Sequence, residues 1–254
     1  MPRFTDENME QFAIGGSHFQ FSGRKVETLG ASEETLVLFV IDRSGSIGEY
    51  HAADAVNKAV QEAVKSCARS PRADNLMIRT VIFDSEVEEF HGFKPLMDCN
   101  AGDYANVCAP RGATALLDAI YNAVGSAIEY AKKLSAPGYD FTVNCVIFVI
   151  TDGEDNRSTI TRKMVAEAIS AARRSEDLES IMPILIGVGP GGADSAHLNT
   201  YLQTLKDEVG FGSYEFVDRT DEKKLAKLAG FISKSVSSTS QALGSGGPSQ
   251  VLTI

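Results

Sequence analysis

Residues 35–46 read TLVLFVIDRSGS and residues 141–153 read FTVNCVIFVITDG. Each begins with a near-continuous apolar run, too short for an ordinary helix, that ends in an acid. That is the pattern of a strand buried on both faces. After the first run, SIGEYHAADAVNKAVQEAVKSCA (46–68) sets Ala52, Val56, Ala59, Val60, Ala63, Val64 and Cys67 at helical spacing, an amphipathic helix with a small-residue stripe. Before the second run, ALLDAIYNAVGSAIEYAKKL (115–134) repeats the pattern.

Further strands are predicted at NLMIRTVIFD (75–84), EVEEFHGF (86–93), IMPILIGVG (181–189) and SYEFVD (213–218), with helices near 162–172, 195–206 and 222–236. The first two strands have almost nothing between them, so they form an antiparallel pair at an edge. The remaining alternation of strand and helix is that of an α/β fold: a mostly parallel sheet covered by helices on both faces. Residues 1–32 carry short alternating patches, HFQFSGRKVETL above all, and are expected to be a hairpin or arm packed on the main domain, residues 33–236. From 237 to 254 the composition turns to Ser and Gly and predicts a flexible tail.

The chain has 254 residues, 43% of them hydrophobic, enough for one sizeable core. Its formal net charge of -10 argues against nucleic acid or an anionic membrane as the main partner. The most apolar run, Phe141 to Ile150, is broken by Thr142 and Asn144, so no spanning helix is expected. MPRFTDENMEQF, at the start, carries acids where a secretion signal needs an apolar stretch, and a cytoplasmic location is the expectation. The four cysteines, Cys67, Cys99, Cys108 and Cys145, lack close metal-ligand spacing and read as free thiols, with Cys99 and Cys108 able to pair only in an oxidising compartment.

Chemistry is concentrated where the strands end. Asp42, Ser44 and Ser46 follow the first run, Thr114 precedes the helix of 115–134, and Asp152 follows the second run. An open parallel sheet puts ligand sites outside the carboxyl ends of its strands, so three loops deliver short oxygen side chains toward one point. Magnesium takes about six oxygens and tends to keep some of its waters. Two serines, a threonine and two aspartates offer suitable atoms. If the hydroxyls bind directly, the ion stays incompletely neutralised, and a carboxylate from outside becomes a favourable ligand.

Asp42-x-Ser44-x-Ser46 with Thr114 and Asp152 resembles the metal-ion-dependent adhesion site of von Willebrand factor type A domains, over roughly residues 33–236. The resemblance implies a doubly wound sheet with one antiparallel edge strand and a divalent ion at its top: magnesium first, manganese or calcium otherwise. It implies direct ligation by Ser44 and Ser46, direct or remote coordination by Thr114, and action by Asp42 and Asp152 mainly through waters or by direct exchange with Thr114. It also implies a protein partner presenting an exposed Asp or Glu. In the intracellular bacterial members, such a partner is often an associated ATPase, kinase or phosphatase.

Two other readings stand beside it. A metal-dependent hydrolase needs a base near the ion, and His18, His51, His91 and His197 lie in unrelated contexts; no catalytic residue is assigned. A scaffold whose ion only stabilises the top loops is the other. Asp42 or Ser46 alone would serve equally well as a helix cap. Arg43, Arg111 and Glu154 are expected to form a rim that guides the partner, Glu154 and Asp155 to be solvated, and Asp118 either to pin a loop or to face water. The glycines of GVGPGGAD (187–194) lack the lysine of a phosphate-binding loop and read as a flexible connection.

Overall fold

The computed structural model describes residues 7–29, 32–47, 52–139, 141–189, 192–218 and 222–245. His51 lies outside the described residues. In chain order the elements are β1 (Met9–Ala13), β2 (Gln20–Arg24), β3 (Glu33–Asp42), α1 (Ala52–Cys67), β4 (Leu76–Phe83), β5 (Val87–Pro95), α2 (Leu116–Leu134), β6 (Thr142–Thr151), α3 (Arg162–Arg174), β7 (Ser180–Gly189), α4 (Gly192–Val209), β8 (Ser213–Asp218) and α5 (Glu222–Ser245). The strands form one sheet ordered β1-β2-β5-β4-β3-β6-β7-β8.

The two decisive runs are neighbours at its centre. β3 pairs in parallel with β4 on one side and with β6 on the other. Their alternation sends side chains to both faces. Leu36, Leu38 and Val40 join a core with α2, α3 and α4, whereas Val37, Phe39 and Ile41 join a second core with α1 and α5. The sheet is therefore doubly wound, and β3 is its switch point. β5 is antiparallel to β4, as its short connection requires.

The N-terminal residues do more than pack on this domain. β1 and β2 form an antiparallel hairpin that extends the sheet past β5, which it meets in parallel at Gly23 and Phe93. Aromatic contacts hold it: Phe93 stacks on Tyr130 with centroids 4.6 Å apart, Phe12 on Phe21 at 5.0 Å, and the Tyr130 hydroxyl donates to the Arg24 carbonyl at 2.9 Å. Gly125 of α2 lets Ile14 approach so closely that an added Cβ would lie 2.4 Å from its Cγ2.

At the other end, the expected tail begins too early. α5 continues to Ser245 because its serines and threonines are small enough to lie against the sheet and α1. Thr239 and Ser240 are buried; the Asn144 side-chain amide donates to the Thr239 carbonyl at 2.9 Å and Arg72 to the Ser240 hydroxyl at 2.9 Å. Residues 246–254 of the expected tail lie outside the described residues. The GVGPGGAD reading also changes: Gly187 and Gly189 belong to β7, packed beneath Phe216, and α4 already begins at Gly192. All four cysteines are free.

Two stability predictions follow from this packing. Removing residues 238–254 should lower stability by about 1–3 kcal/mol, the range for buried polar groups that lose their partners, measurable as a reduced denaturation midpoint. Glu34 is buried on β3, its Oε2 has no hydrogen-bond partner among the described residues, and burial pushes its carboxyl up to about 8 from an ordinary 4.5. It folds as the neutral acid, so its contribution is complete below about pH 4.5 and is lost as pH rises toward 8. Glu34→Gln should match the parent near pH 4 and exceed it by roughly 2–4 kcal/mol at pH 7–8; denaturant unfolding across that range measures the difference.

Candidate functional site

The parallel registers bring the carboxyl ends of β3, β4 and β6 together. Asp42 pairs with Phe83, and Ile41 with Ile150, which leaves Asp42 beside Thr151 and Asp152 just beyond it. Asp42 is completely buried and both its oxygens are used: Oδ1 accepts from the Ser44 backbone N–H at 2.7 Å and Oδ2 from the Thr151 hydroxyl at 2.5 Å. Burial pushes its carboxyl up to about 6, against the lowering effect of these bonds and with a further upward push from Asp84. Asp42 thus shapes the Ser44 loop from within.

Ser44 and Ser46 then turn their hydroxyls to the same place. Their Oγ atoms are 3.2 Å apart, and Asp152 Oδ1 lies 3.0 Å from Ser46 Oγ and 3.5 Å from Ser44 Oγ. Thr114 closes the group from the third loop: a Cβ added at Gly153 would meet Thr114 Oγ1 at 3.3 Å and Ser46 Oγ at 3.9 Å. Ser44, Thr114 and Asp152 are buried, while Ser46 is exposed, so the cluster opens to solvent at Ser46. All five sequence-predicted residues are brought together.

Backbone bonds fix the loop that carries Thr114. Arg111 N–H donates to the Arg43 carbonyl at 2.6 Å, Gly45 N–H to Gly112 at 3.1 Å, and Ala115 N–H to Asp84 at 2.7 Å. Gly112 has φ 73°, and an added Cβ there would lie 2.9 Å from Ser85 Oγ; both its conformation and its space require glycine.

The rim differs from expectation. Arg43 is buried, because it is drawn inward by Asp84 at 2.9 Å and Glu88 at 2.6 Å. The exposed Arg111 reaches the same two oxygens at 2.7 and 3.2 Å. Burial alone would raise the Asp84 carboxyl, but the Arg111 hydrogen bond and both guanidinium charges hold it below its ordinary value. Glu154 pairs with His197 at 2.9 Å. That brings one histidine to the rim, through a residue outside the five. His91 is buried against the Gly92 carbonyl at 2.9 Å and the Tyr104 hydroxyl at 2.6 Å, and burial lowers it to about 3.

Asp155 is not a solvated acid. Its Oδ1 accepts from the Leu117 N–H at 3.3 Å and from Ser158 Oγ at 2.5 Å, so it serves the start of α2. Asn156 exchanges bonds with Thr114: its Oδ1 accepts from Thr114 N–H at 2.9 Å and its own N–H donates to the Thr114 carbonyl at 3.0 Å. Asn156 and Ser158 were missed in the sequence, although the density of Asp, Asn and Ser in TDGEDNRS (151–158) marks a segment able to satisfy a helix start. Asp118 pins a loop: its Oδ1 accepts from Thr159 N–H at 3.0 Å and Ile160 N–H at 2.8 Å.

The donor set fits a small hard cation held by hydroxyls. Among the described residues no three His, Cys, Asp or Glu side chains gather into a metal cluster. The convergent atoms are instead three hydroxyls and the Asp152 carboxylate, with Asp42 behind them, a set for an oxygen-seeking ion that keeps waters.

A family model for the von Willebrand factor type A domain matches residues 37–230. No curated protein matches the chain. Among solved structures, a mutant of the PilB minor pilin from Streptococcus sanguinis is similar with TM-score 0.58 and 16% identity, over 93% of this chain and 68% of that one. The pilus adhesin SpaC from Lactobacillus rhamnosus GG gives 0.52 and 14%, over 85% and 31%. Proximal thread matrix protein 1 from the mussel byssus gives 0.50 and 16%, over 81% and 45%. The chain thus spans about two thirds of the pilin and less than half of the other two. At these identities the likeness is one of fold.

Asp118→Ala should cost about 1–3 kcal/mol, because two backbone N–H groups lose their acceptor, and should speed amide exchange at Thr159 and Ile160. Asp118→Asn, which keeps Oδ1, should retain most of the protection.

Proposed function

The chain belongs to the von Willebrand factor type A domain family, and from that premise we propose that it is a protein-interaction module whose site holds a divalent ion and recognises a carboxylate on a partner protein. The observation that carries this reading is the convergence of Ser44, Ser46 and Asp152 within hydrogen-bonding distance, beside Thr114, at the strand ends of a topological switch point.

In this reading Ser44, Ser46 and Thr114 supply hydroxyls to the ion, Asp152 supplies its carboxylate directly or through water, and Asp42 acts from behind by holding the Ser44 loop. Magnesium is the preferred ion, with manganese its close substitute and calcium the lesser fit for a small hydroxyl-rich site. Bound there, the ion supplies a local positive charge that the protein only partly neutralises, and a partner's Asp or Glu completes it. The exposure of Ser46 provides the approach.

The net charge of -10 repels acidic surfaces at long range. The partner therefore presents a short exposed acid on a surface otherwise neutral or basic. Binding, rather than hydrolysis, is the reading the neighbouring side chains favour. His91 is committed inside the fold, and His197 is held by Glu154.

Titrating metal-free protein with Mn2+, read by loss of the free-ion electron paramagnetic resonance signal, should give one site per chain. Ser44→Ala with Ser46→Ala should weaken it at least about tenfold, the loss of two charge-assisted ligands. N-acetylaspartic acid α-amide, whose side-chain carboxylate is free, should bind in Mg2+ and not in EDTA. Equal affinity for Mn2+ in the double variant places the ion elsewhere, and equal binding of the acid in EDTA removes the metal bridge.

A further inference from the structure

Residues 109–112, Ala-Pro-Arg-Gly, form an exposed crest just before the buried Thr114. They belong to a stretch, 107–115, that carries no helix or strand, and neither Ala109 nor Pro110 is buried. Apolar burial therefore does not hold the crest in place. Its backbone makes two bonds to the Ser44 loop, from Arg111 N–H to the Arg43 carbonyl at 2.6 Å and from Gly45 N–H to the Gly112 carbonyl at 3.1 Å. Of its four side chains, only that of Arg111 is polar.

That side chain is anchored although it is 62% exposed: its Nε lies 2.7 Å from Asp84 Oδ2 and its Nη2 3.2 Å from Glu88 Oε2. Arg43, on the Ser44 loop, reaches the same two oxygens at 2.9 and 2.6 Å. Two positive and two negative charges thus close a neutral clasp, in which two guanidiniums sit side by side because both carboxylates are present. Asp84 is its fixed post. It is buried, its Oδ1 accepts from Glu86 N–H at 3.2 Å, and its carbonyl accepts from Ala115 N–H at 2.7 Å. One residue therefore grips the loop on both sides of Thr114, through the Arg111 side chain before it and the Ala115 backbone after it.

We propose that Arg111 is a positioning residue: through Asp84 and Glu88 its guanidinium keeps the Thr114 hydroxyl beside Ser44, Ser46 and Asp152, and so sets the affinity of the site for its ion. The placement of Thr114 stands on the clasp alone, whereas the effect on affinity rests on the reading given above. Magnesium takes its oxygens in a near-octahedral shell at about 2.0–2.1 Å, so a displaced hydroxyl is a lost ligand. Groups that orient metal ligands weigh on affinity for this reason. The fork of a guanidinium spans both carboxylates, which the point charge of a lysine does not.

The test uses the full chain with Arg111→Gln, Arg111→Lys, Thr114→Ala and the Arg111→Gln, Thr114→Ala pair. Glu33→Gln, which breaks the bridge to Arg72 at the amino end of β3, is the comparison. In metal-free protein, Arg111→Gln should speed amide exchange at Thr114 and Ala115 about threefold, the scale of a partly exposed ion pair, and leave Thr159 and Ile160 unchanged. Arg111→Lys should fall between. In the Mn2+ titration, Arg111→Gln should weaken binding at least about threefold, and Glu33→Gln should not weaken it. With Thr114 already replaced by Ala, Arg111→Gln should cost nothing more, because it acts through that hydroxyl.

Unchanged exchange at Thr114 and Ala115 overturns the proposal whether or not Mn2+ binds. So do losses that simply add in the double variant, or an equal weakening by Glu33→Gln, since a general loss of stability would produce either. Faster exchange in a chain that binds no Mn2+ supports the placement of Thr114 by Arg111 and removes the ion reading instead.

Discussion

The arrangement around the candidate site depends on one buried carboxylate. Asp42 ends β3, is wholly removed from water, and spends both oxygens inside the protein, one on the backbone of Ser44 and the other on Thr151 at the end of β6. Burying a carboxylate is costly unless it is hydrogen-bonded, so both partners are structurally required of their loops. The bond to Ser44 curls the chain so that Ser44 and Ser46 face the same point. The bond to Thr151 locks the two central strands at their carboxyl ends and sets Asp152 beside those serines. A cation near this cluster would ease the cost that burial imposes on Asp42, which is how fold and proposed ligand reinforce each other.

β5 carries this order outward. Two consecutive acids point different ways, as a strand's alternation requires. Glu88 joins Arg43 and Arg111, the two residues that flank the site's loops. Glu89 joins Arg79 in the core and Ser22 in the hairpin. The N-terminal hairpin and the Thr114 loop are therefore braced on adjacent residues of one strand. The hairpin is more than an accessory: it covers Phe93 and Tyr130, which would otherwise be exposed at the edge of the sheet.

Other expectations failed because a side chain's surroundings are set by distant segments. Arg43 follows an acid in an exposed-looking loop, yet Asp84 and Glu88, more than forty positions away, pull its guanidinium inward. Asp155 sits in an acidic run that reads as solvated, but the start of α2 offers it unsatisfied N–H groups. The serines and threonines of 237–240 look like a tail by composition, and become helix because Asn144 and Arg72 present partners for them.

The sequence by itself determined the alternation of strands and helices, the central places of TLVLFVID and FTVNCVIFVIT, and the identity of the five oxygen-bearing residues, since continuous apolar runs and the acids that end them are local signals. Which strand lies beside which, and hence that Asp42 meets Thr151 and that Ser46 meets Asp152 across 106 positions, was decided by tertiary structure. So were the hairpin's place past β5 and the inward turn of Arg43. The physical reason is the same in each case: hydrophobic period is written along the chain, whereas the partner of a buried charge or an orphaned N–H group is chosen by packing among segments far apart in it.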